Sequence, residues 1–216
     1  MLMVRLGLRG SKRGHSFNLI HPGRGGGTSC GKPASNYFTF AFLGTPVVIR
    51  PPRYNGGVPF TIRDFQAADF DTLWRIDQDC FPPGISYSRA ELKAYMRRRG
   101  SFTLLAINEA TANASANGSV AGFIVAEADN RCSGHIITID VLSGARRSGV
   151  GSLLLQGAED RLRVARCRTV ELETAVDNLS ALAFYKRQGY SVIKTFPRYY
   201  SNGVDALVLH KDLVLK

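Results

Sequence analysis

The chain has 216 residues, 44% hydrophobic and 21% charged, enough to bury a sizeable core and typical of a globular protein. No apolar run reaches the ~18–20 residues a membrane-spanning helix needs, so no membrane partner is expected. The net charge of +11 is uneven: residues 1–58 hold eight Lys/Arg and no Asp or Glu, leaving 20 basic against 17 acidic residues in the rest. The basicity therefore belongs to the first segment, and direct DNA binding by the folded part is not expected.

Residues 1–58 show no sustained hydrophobic period, and Gly23–Gly27 with nearby Pro, Ser and Asn argue for irregular backbone. Three readings stand: a disordered tail, a basic targeting or ribosome-docking arm, or a product of an early start codon. The domain is expected to begin at residue 59. Phe60–Arg63 alternates as a strand, and Asp69–Cys80 has Phe70, Leu73, Trp74 and Ile76 on one helical side. Phe81-Pro82-Pro83-Gly84 ends that helix. Ser88 with Glu91 forms a capping box for a helix over Arg89–Arg99, stopping at Gly100.

Three strands follow: Phe102–Asn108, Ser119–Glu127 and His135–Val141, the first two joined by an exposed hairpin connection over Glu109–Gly118. Strict alternation in the third puts Ile137, Ile139 and Val141 on one face and Ile136, Thr138 and Asp140 on the other. Val150, Leu153, Leu154, Ala158 and Leu162 mark a helix of about four turns. A strand over Arg168–Thr174, a helix over Ser180–Arg187 closed by Gly189, and an antiparallel pair, Tyr190–Thr195 and Ala206–Lys211, complete the chain. The connection Phe196–Asp205 is long for a hairpin, which points to a functional loop. This order predicts a mixed α/β domain with a central, largely antiparallel sheet flanked by helices, and one parallel strand–helix–strand unit.

Cys30, Cys80, Cys132 and Cys167 are scattered without metal-ligand spacing, so no metal site is expected and four reduced thiols in a cytoplasmic protein are the simplest reading. The Gly-rich turn Arg146-Arg147-Ser148-Gly149-Val150-Gly151-Ser152 lies between an apolar strand and an amphipathic helix. Glycines let backbone approach an anion, and a helix N-terminus offers N–H groups and partial positive charge, so the turn can hold a pyrophosphate. A mere tight turn is the plain alternative. The missing G-K-[ST] excludes a Walker A loop, and the spacing is not that of a dinucleotide fingerprint.

Arg146-x-x-Gly149-x-Gly151 after Asp140-Val141, with Leu172-Glu173, Asn178, Ala181, Phe184-Tyr185 and Gly189-Tyr190, resembles the acetyl-CoA signature and core of the GNAT acetyltransferase superfamily. Arg198-Tyr199-Tyr200 with Asp205-Ala206 narrows the resemblance to the ribosomal-protein-alanine N-acetyltransferases (the RimI type) and related protein N-terminal acetyltransferases. It covers about Phe60–Leu213. One departure is Leu142, where a proline is common.

The resemblance implies acetyl-CoA as co-substrate and direct attack by a primary amine, with a protein N-terminus as acceptor, including a ribosomal one. Backbone of Ile139, Asp140 and Val141, on a strand splayed from its neighbour, would meet the acetyl and pantetheine groups. Main-chain N–H groups of Arg147, Ser148, Gly149, Val150, Gly151 and Ser152 would hold the pyrophosphate, with Arg146 adding charge. Asn178 would bond the pantetheine arm; on its own residue type it reads equally as a helix cap. Glu173 matches the general base and Tyr185 the general acid, while Tyr199 and Tyr200 would line the peptide entrance. Glu171 shares a strand face with Glu173 and is the rival carboxylate. A small amine or lysine acceptor, or a non-catalytic acyl-CoA-binding module with an RNA-binding arm, is the alternative function.

Overall fold

The computed structural model describes residues 60–82, 85–109, 120–200 and 202–213. The basic segment 1–58 and most of the expected 109–118 connection lie outside them.

Seven strands form one sheet: β1 (Phe60–Asp64), β2 (Ser101–Asn108), β3 (Val120–Ala128), β4 (Ser133–Val141), β5 (Thr169–Ala175), β6 (Ser191–Phe196) and β7 (Ala206–Asp212). Their spatial order is β1-β2-β3-β4-β5-β7-β6. Every pairing is antiparallel except β4 with β5, as the order of elements predicts. Helices α1 (Phe70–Cys80) and α2 (Arg89–Met96) pack on one face. There Leu73, Ile76 and Leu92 meet Leu105, Phe123 and Ile137. Helices α3 (Val150–Val164) and α4 (Leu179–Arg187) cover the other. There Leu154, Leu162, Ala181 and Phe184 meet Ile124, Ile139, Val170 and Leu172.

Local chemistry sets the helix starts. Asp69, just before α1, takes two 2.7 Å bonds from the Arg63 guanidinium and one from the Gln66 backbone N–H. Ser88 and Glu91 close the expected capping box on α2. That helix ends at Met96 rather than Arg99, because Arg98 N–H turns to the Tyr95 carbonyl in a tight last turn and Gly100 follows at φ +82°. Glu159 on α3 accepts from Tyr190, Lys211 and Arg163, fastening this helix to β7.

One expectation for β4 fails. The register with β3 skips a residue between Val125↔Thr138 and Ala126↔Ile136, so Ile137 bulges. Ile136, Ile139 and Val141 therefore share the α3 face, while Ile137 packs under α1 and α2. A bulge adds one residue and reverses the alternation beyond it, which simple counting along the strand misses. Cys80 and Cys167 are free buried thiols, as expected, and Cys30 lies outside the described residues.

Candidate active site

The site is built on a failed pairing. β4 and β5 are hydrogen-bonded neighbours only over Ser133↔Thr169, Gly134↔Val170 and His135↔Glu171. From Ile136 to Val141 on β4, and from Leu172 to Ala175 on β5, the two strands diverge. Backbone N–H and C=O groups on the facing edges of the gap need partners, since unpaired polar backbone in an interior is costly. An extended chain carrying amides, laid between the strands, supplies them. Ile139, Asp140 and Val141 lie on this divergent length and are all buried.

Just past Val141 the chain forms the Gly-rich turn. Gly149 caps α3 at φ +91°, and Arg147 is also left-handed at φ +65°. Adding a Cβ to Gly149 would meet nothing within 4 Å, so only its backbone conformation calls for glycine. α-Helix geometry leaves the first N–H groups, those of Val150, Gly151 and Ser152, without intrahelical acceptors. Ser148 Oγ donates to the Ala145 carbonyl at 2.6 Å, and Ser152 Oγ accepts from Gln188 Nε2 at 3.0 Å, tying the turn to the end of α4. Arg146 folds back, its Nε donating to the Val141 carbonyl at 3.0 Å. The turn thus presents aligned donors and positive charge at the open end of the gap.

On the opposite side of the gap, Asn178 caps α4, its Oδ1 accepting from Ala181 N–H at 3.2 Å and from Ser180 Oγ at 3.1 Å. The capping reading of this residue is thus what the geometry records. Tyr185, two turns into α4, is fully buried among Phe184 and Tyr190, with ring centroids 5.0 and 5.4 Å away. Its hydroxyl has no hydrogen-bond partner among the described residues. Burial first, then the Asp140 carboxylate and Tyr200, hold its pKa well above the ordinary phenol value. It is therefore a protonated donor at any physiological pH. The Asp140 carboxylate accepts from Thr138 Oγ1 at 2.9 Å. Burial, and next to it the same carboxylate, push the Cys80 thiol up to about 12, so that cysteine is no nucleophile at neutral pH.

Glu173 stands on β5 beyond the last β4 pairing, on the α1/α2 face. His135, which residue counting had left unassigned, is its partner. Carboxylate oxygens only accept, so His135 Nε2–H donates to Glu173 Oε2, at 2.8 Å. His135 Nδ1 faces Glu127 at 3.9 Å, and Glu127 meets Arg98 at 3.6 Å. Burial lowers the imidazole pKa, but Glu173, Glu127 and Glu171 together outweigh it, and the net shift is upward. The rival carboxylate Glu171 sits inside the paired region and accepts from His210 Nδ1 at 3.2 Å. The one sequence signal that could have found His135 is its place two residues into the strand that leads to the Gly-rich turn.

The β6–β7 connection completes the wall. Tyr199 is buried, stacked on Phe196 at 5.7 Å and edge-on to Tyr200 at 5.3 Å. Asp205 Oδ1 accepts from Arg198 N–H at 2.7 Å, fixing the loop. Tyr200 lines a cavity of about 500 Å³ between this loop, the α1–α2 connection at Phe81, Pro82 and Ile85, and the start of α4. Tyr199 does not line it. Among the described residues there is no His/Cys/Asp/Glu cluster able to hold a metal and no helix long and apolar enough to cross a membrane.

The model of the acetyltransferase (GNAT) family matches residues 70–190, more than half of the chain. The chain belongs to this family. A Methanocaldococcus jannaschii protein named as an uncharacterized N-acetyltransferase is 31% identical over 151 residues, 69% of this chain and 90% of its own length. An N-alpha-acetyltransferase of Sulfurisphaera tokodaii is 28% identical over 73% of this chain and 95% of its own. Among solved structures, Ard1 from Thermoplasma volcanium superposes with a TM-score of 0.63 at 29% identity, covering 73% of this chain and 99% of that one. The ribosomal-protein-S18-alanine N-acetyltransferase of Escherichia coli, at 20% identity, 73% and 96% coverage and a TM-score of 0.62, shares the fold. This acetyltransferase is an enzyme that moves an acetyl group from acetyl-CoA to nitrogen. The splayed strands and the α3 donors fit that co-substrate, an amide-bearing arm joined to a pyrophosphate.

Proposed function

We propose that the acceptor is the N-terminal α-amine of a protein, with Glu173 as general base and Tyr185 as general acid. The observation that carries the reading is the Glu173–His135 pair, a carboxylate held in place at the mouth of the divergent strands opposite a buried, protonated Tyr185. The likeness to a named N-alpha-acetyltransferase over most of both chains supports it.

The chemistry follows from proton affinities. A protein α-amine has a pKa of about 7.7–8.0 against about 10.4 for lysine, so a carboxylate near neutral pH has less work to do on an N-terminus. Bound acetyl-CoA supplies the thioester carbonyl that the neutral amine attacks. Glu173 accepts the amine proton, directly or through one water, and His135 Nε2–H keeps its carboxylate aimed. Tyr185 gives its hydroxyl proton to the departing sulfur. Backbone of Ile139–Val141 and the Asn178 side chain hold the pantetheine arm, and the N–H groups of Arg147–Ser152 with Arg146 hold the pyrophosphate. Tyr199 supports Tyr200, which faces the entering peptide. No covalent enzyme intermediate enters, in keeping with a Cys80 thiol held at about 12.

Release of free CoA thiol, followed with purified protein, acetyl-CoA and short peptides, tests the reading. Turnover is expected with free N-termini and not with Nα-blocked, lysine-containing controls. Turnover confined to the blocked peptides or to small amines refutes the α-amine assignment.

A further inference from the structure

Beyond residue 58 the chain carries 20 basic against 17 acidic residues, but the fold sorts them. At the end of the sheet away from the Gly-rich turn, three connections lie side by side. They are the α2–β2 connection, the β3–β4 turn and the α3–β5 turn. Gly100 C=O accepts from Ala128 N–H at 3.0 Å, and Cys132 C=O accepts from Arg168 N–H at 2.7 Å, which ties each to the next. From β2 to β5 they span three strand spacings, roughly 14 Å. Together they carry Arg97, Arg98, Arg99, Arg131, Arg166 and Arg168, all exposed. Glu127 answers Arg98 at 3.6 Å. The other five guanidiniums meet no carboxylate among the described residues. Elsewhere Arg63, Arg89, Arg161 and Arg163 each meet one. Asp129, the carboxylate within the β3–β4 turn, is bent back onto the backbone N–H groups of Arg131 and Ser133.

Arg166 occupies a place that usually belongs to glycine. Helix α3 closes with Cys167 N–H on the Leu162 carbonyl and Arg166 N–H on the Arg163 carbonyl, both at 2.9 Å. That closure needs a left-handed residue just past the cap, and glycine is the common choice. Arg166 stands there at φ +64°. An arginine held in a conformation it disfavours, beside four other unpaired arginines, serves its charge and not the turn. All five cations are arginines, whose planar fork can take two phosphate oxygens at once. The surface is made of turns, with no helix or ribbon protruding to enter the major groove of DNA. A broad basic face suits the wide, shallow minor groove of A-form RNA, and Asn130, exposed beside Arg131, can bond a 2′-hydroxyl. Val164, 85% exposed, is the one large apolar side chain exposed beside these turns among the described residues, too little to anchor the face in lipid.

We infer that this end of the sheet binds the phosphate backbone of double-helical RNA, without regard to sequence, through Arg97, Arg99, Arg131, Arg166 and Arg168. The acetyl-transfer gap opens at the far end of β4, roughly 25 Å away, so RNA and acetyl-CoA bind together.

Fluorescence anisotropy with the full chain and a labelled RNA duplex of about 20 base pairs, between about 50 and 200 mM KCl, tests this. Residues 1–58 add their own charge, so the readout is the difference between parent and variant. The triple variant Arg131→Gln, Arg166→Gly, Arg168→Gln should raise Kd at least about tenfold and flatten the slope of log K against log salt by about 2–3, near 0.9 per lost phosphate contact. Its acetylation of a free-N-terminal peptide should match that of the parent. Arg166→Gly alone relieves the left-handed conformation, so its melting temperature stays at or above the parent's while RNA affinity still falls. Arg75→Gln, which removes an exposed charge on α1, should leave Kd nearly unchanged. An unchanged Kd and slope in the triple variant overturns the inference. So does a loss in Arg75→Gln as large as that in Arg166→Gly, which would reduce the effect to net charge. Equal affinity for a DNA duplex of the same sequence overturns the assignment to RNA. Binding to phosphatidylserine vesicles that the triple variant loses, with RNA binding unaltered, gives the face to a membrane instead.

Discussion

Tyr185→Phe is expected to make the protein more stable and nearly inactive. The side chain has no exposed surface, and its hydroxyl has no partner among the described residues. Leaving a buried hydroxyl unsatisfied costs about 1–3 kcal/mol. Phenylalanine removes that cost and keeps the edge-on contacts with Phe184 and Tyr190. In a domain of this size each kcal/mol is worth about 2–4 °C in Tm, so the ligand-free variant should melt several degrees higher. The same hydroxyl is the assigned donor to the departing sulfur, and loss of a general acid costs about 10²–10⁴ in kcat. Differential scanning calorimetry without acetyl-CoA reads the first effect and thiol release the second. A variant that melts lower would show a satisfied hydroxyl in the native protein. One that turns over at the parent rate would remove Tyr185 from the chemistry.

Glu173→Gln keeps the shape and the bond from His135 Nε2 but cannot accept a proton. Its kcat should fall by about 10²-fold or more, most severely at low pH where amine deprotonation limits, and an unchanged pH–rate profile would exclude Glu173 as base. His135→Gln tests the pair through linkage. The folded pKa of His135 is raised above 6.5, so its stabilisation is complete below that value and is lost as pH rises through the folded pKa. Urea unfolding should therefore show a larger deficit for the variant at pH 6 than at pH 9; an equal deficit would mean that no ion pair is lost. Gly149→Ala meets no steric obstacle but must hold φ near +91°, at about 1–2 kcal/mol. Its KM for acetyl-CoA should rise with kcat at saturation mostly kept, and unchanged acetyl-CoA binding by calorimetry would separate the turn from the pyrophosphate.

Much of the architecture was legible because local rules and tertiary context agree. Ser88 and Glu91 announce α2, Gly149 and Asn178 announce α3 and α4, and the two-residue period of β5 survives intact as alternating buried and half-buried positions. Agreement between local signal and global fold is what makes such elements readable. The register of β4 was not readable, since a bulge depends on the neighbouring strand and leaves no mark in composition.

Residue types and spacing were enough to set the family, the Gly-rich turn, and the candidacy of Glu173, Tyr185 and Asn178, because each acts through local backbone or through an intrinsic pKa. Packing alone supplied the rest. The extent of β4–β5 pairing separates Glu173 from Glu171, and the sheet brings His135 to Glu173 across 38 positions of sequence. Burial and the Asp140 carboxylate keep Tyr185 protonated, and the meeting of three distant loops makes the apolar cavity. These are properties of groups remote in the chain and adjacent in space, and neither propensity nor periodicity carries information about such neighbours.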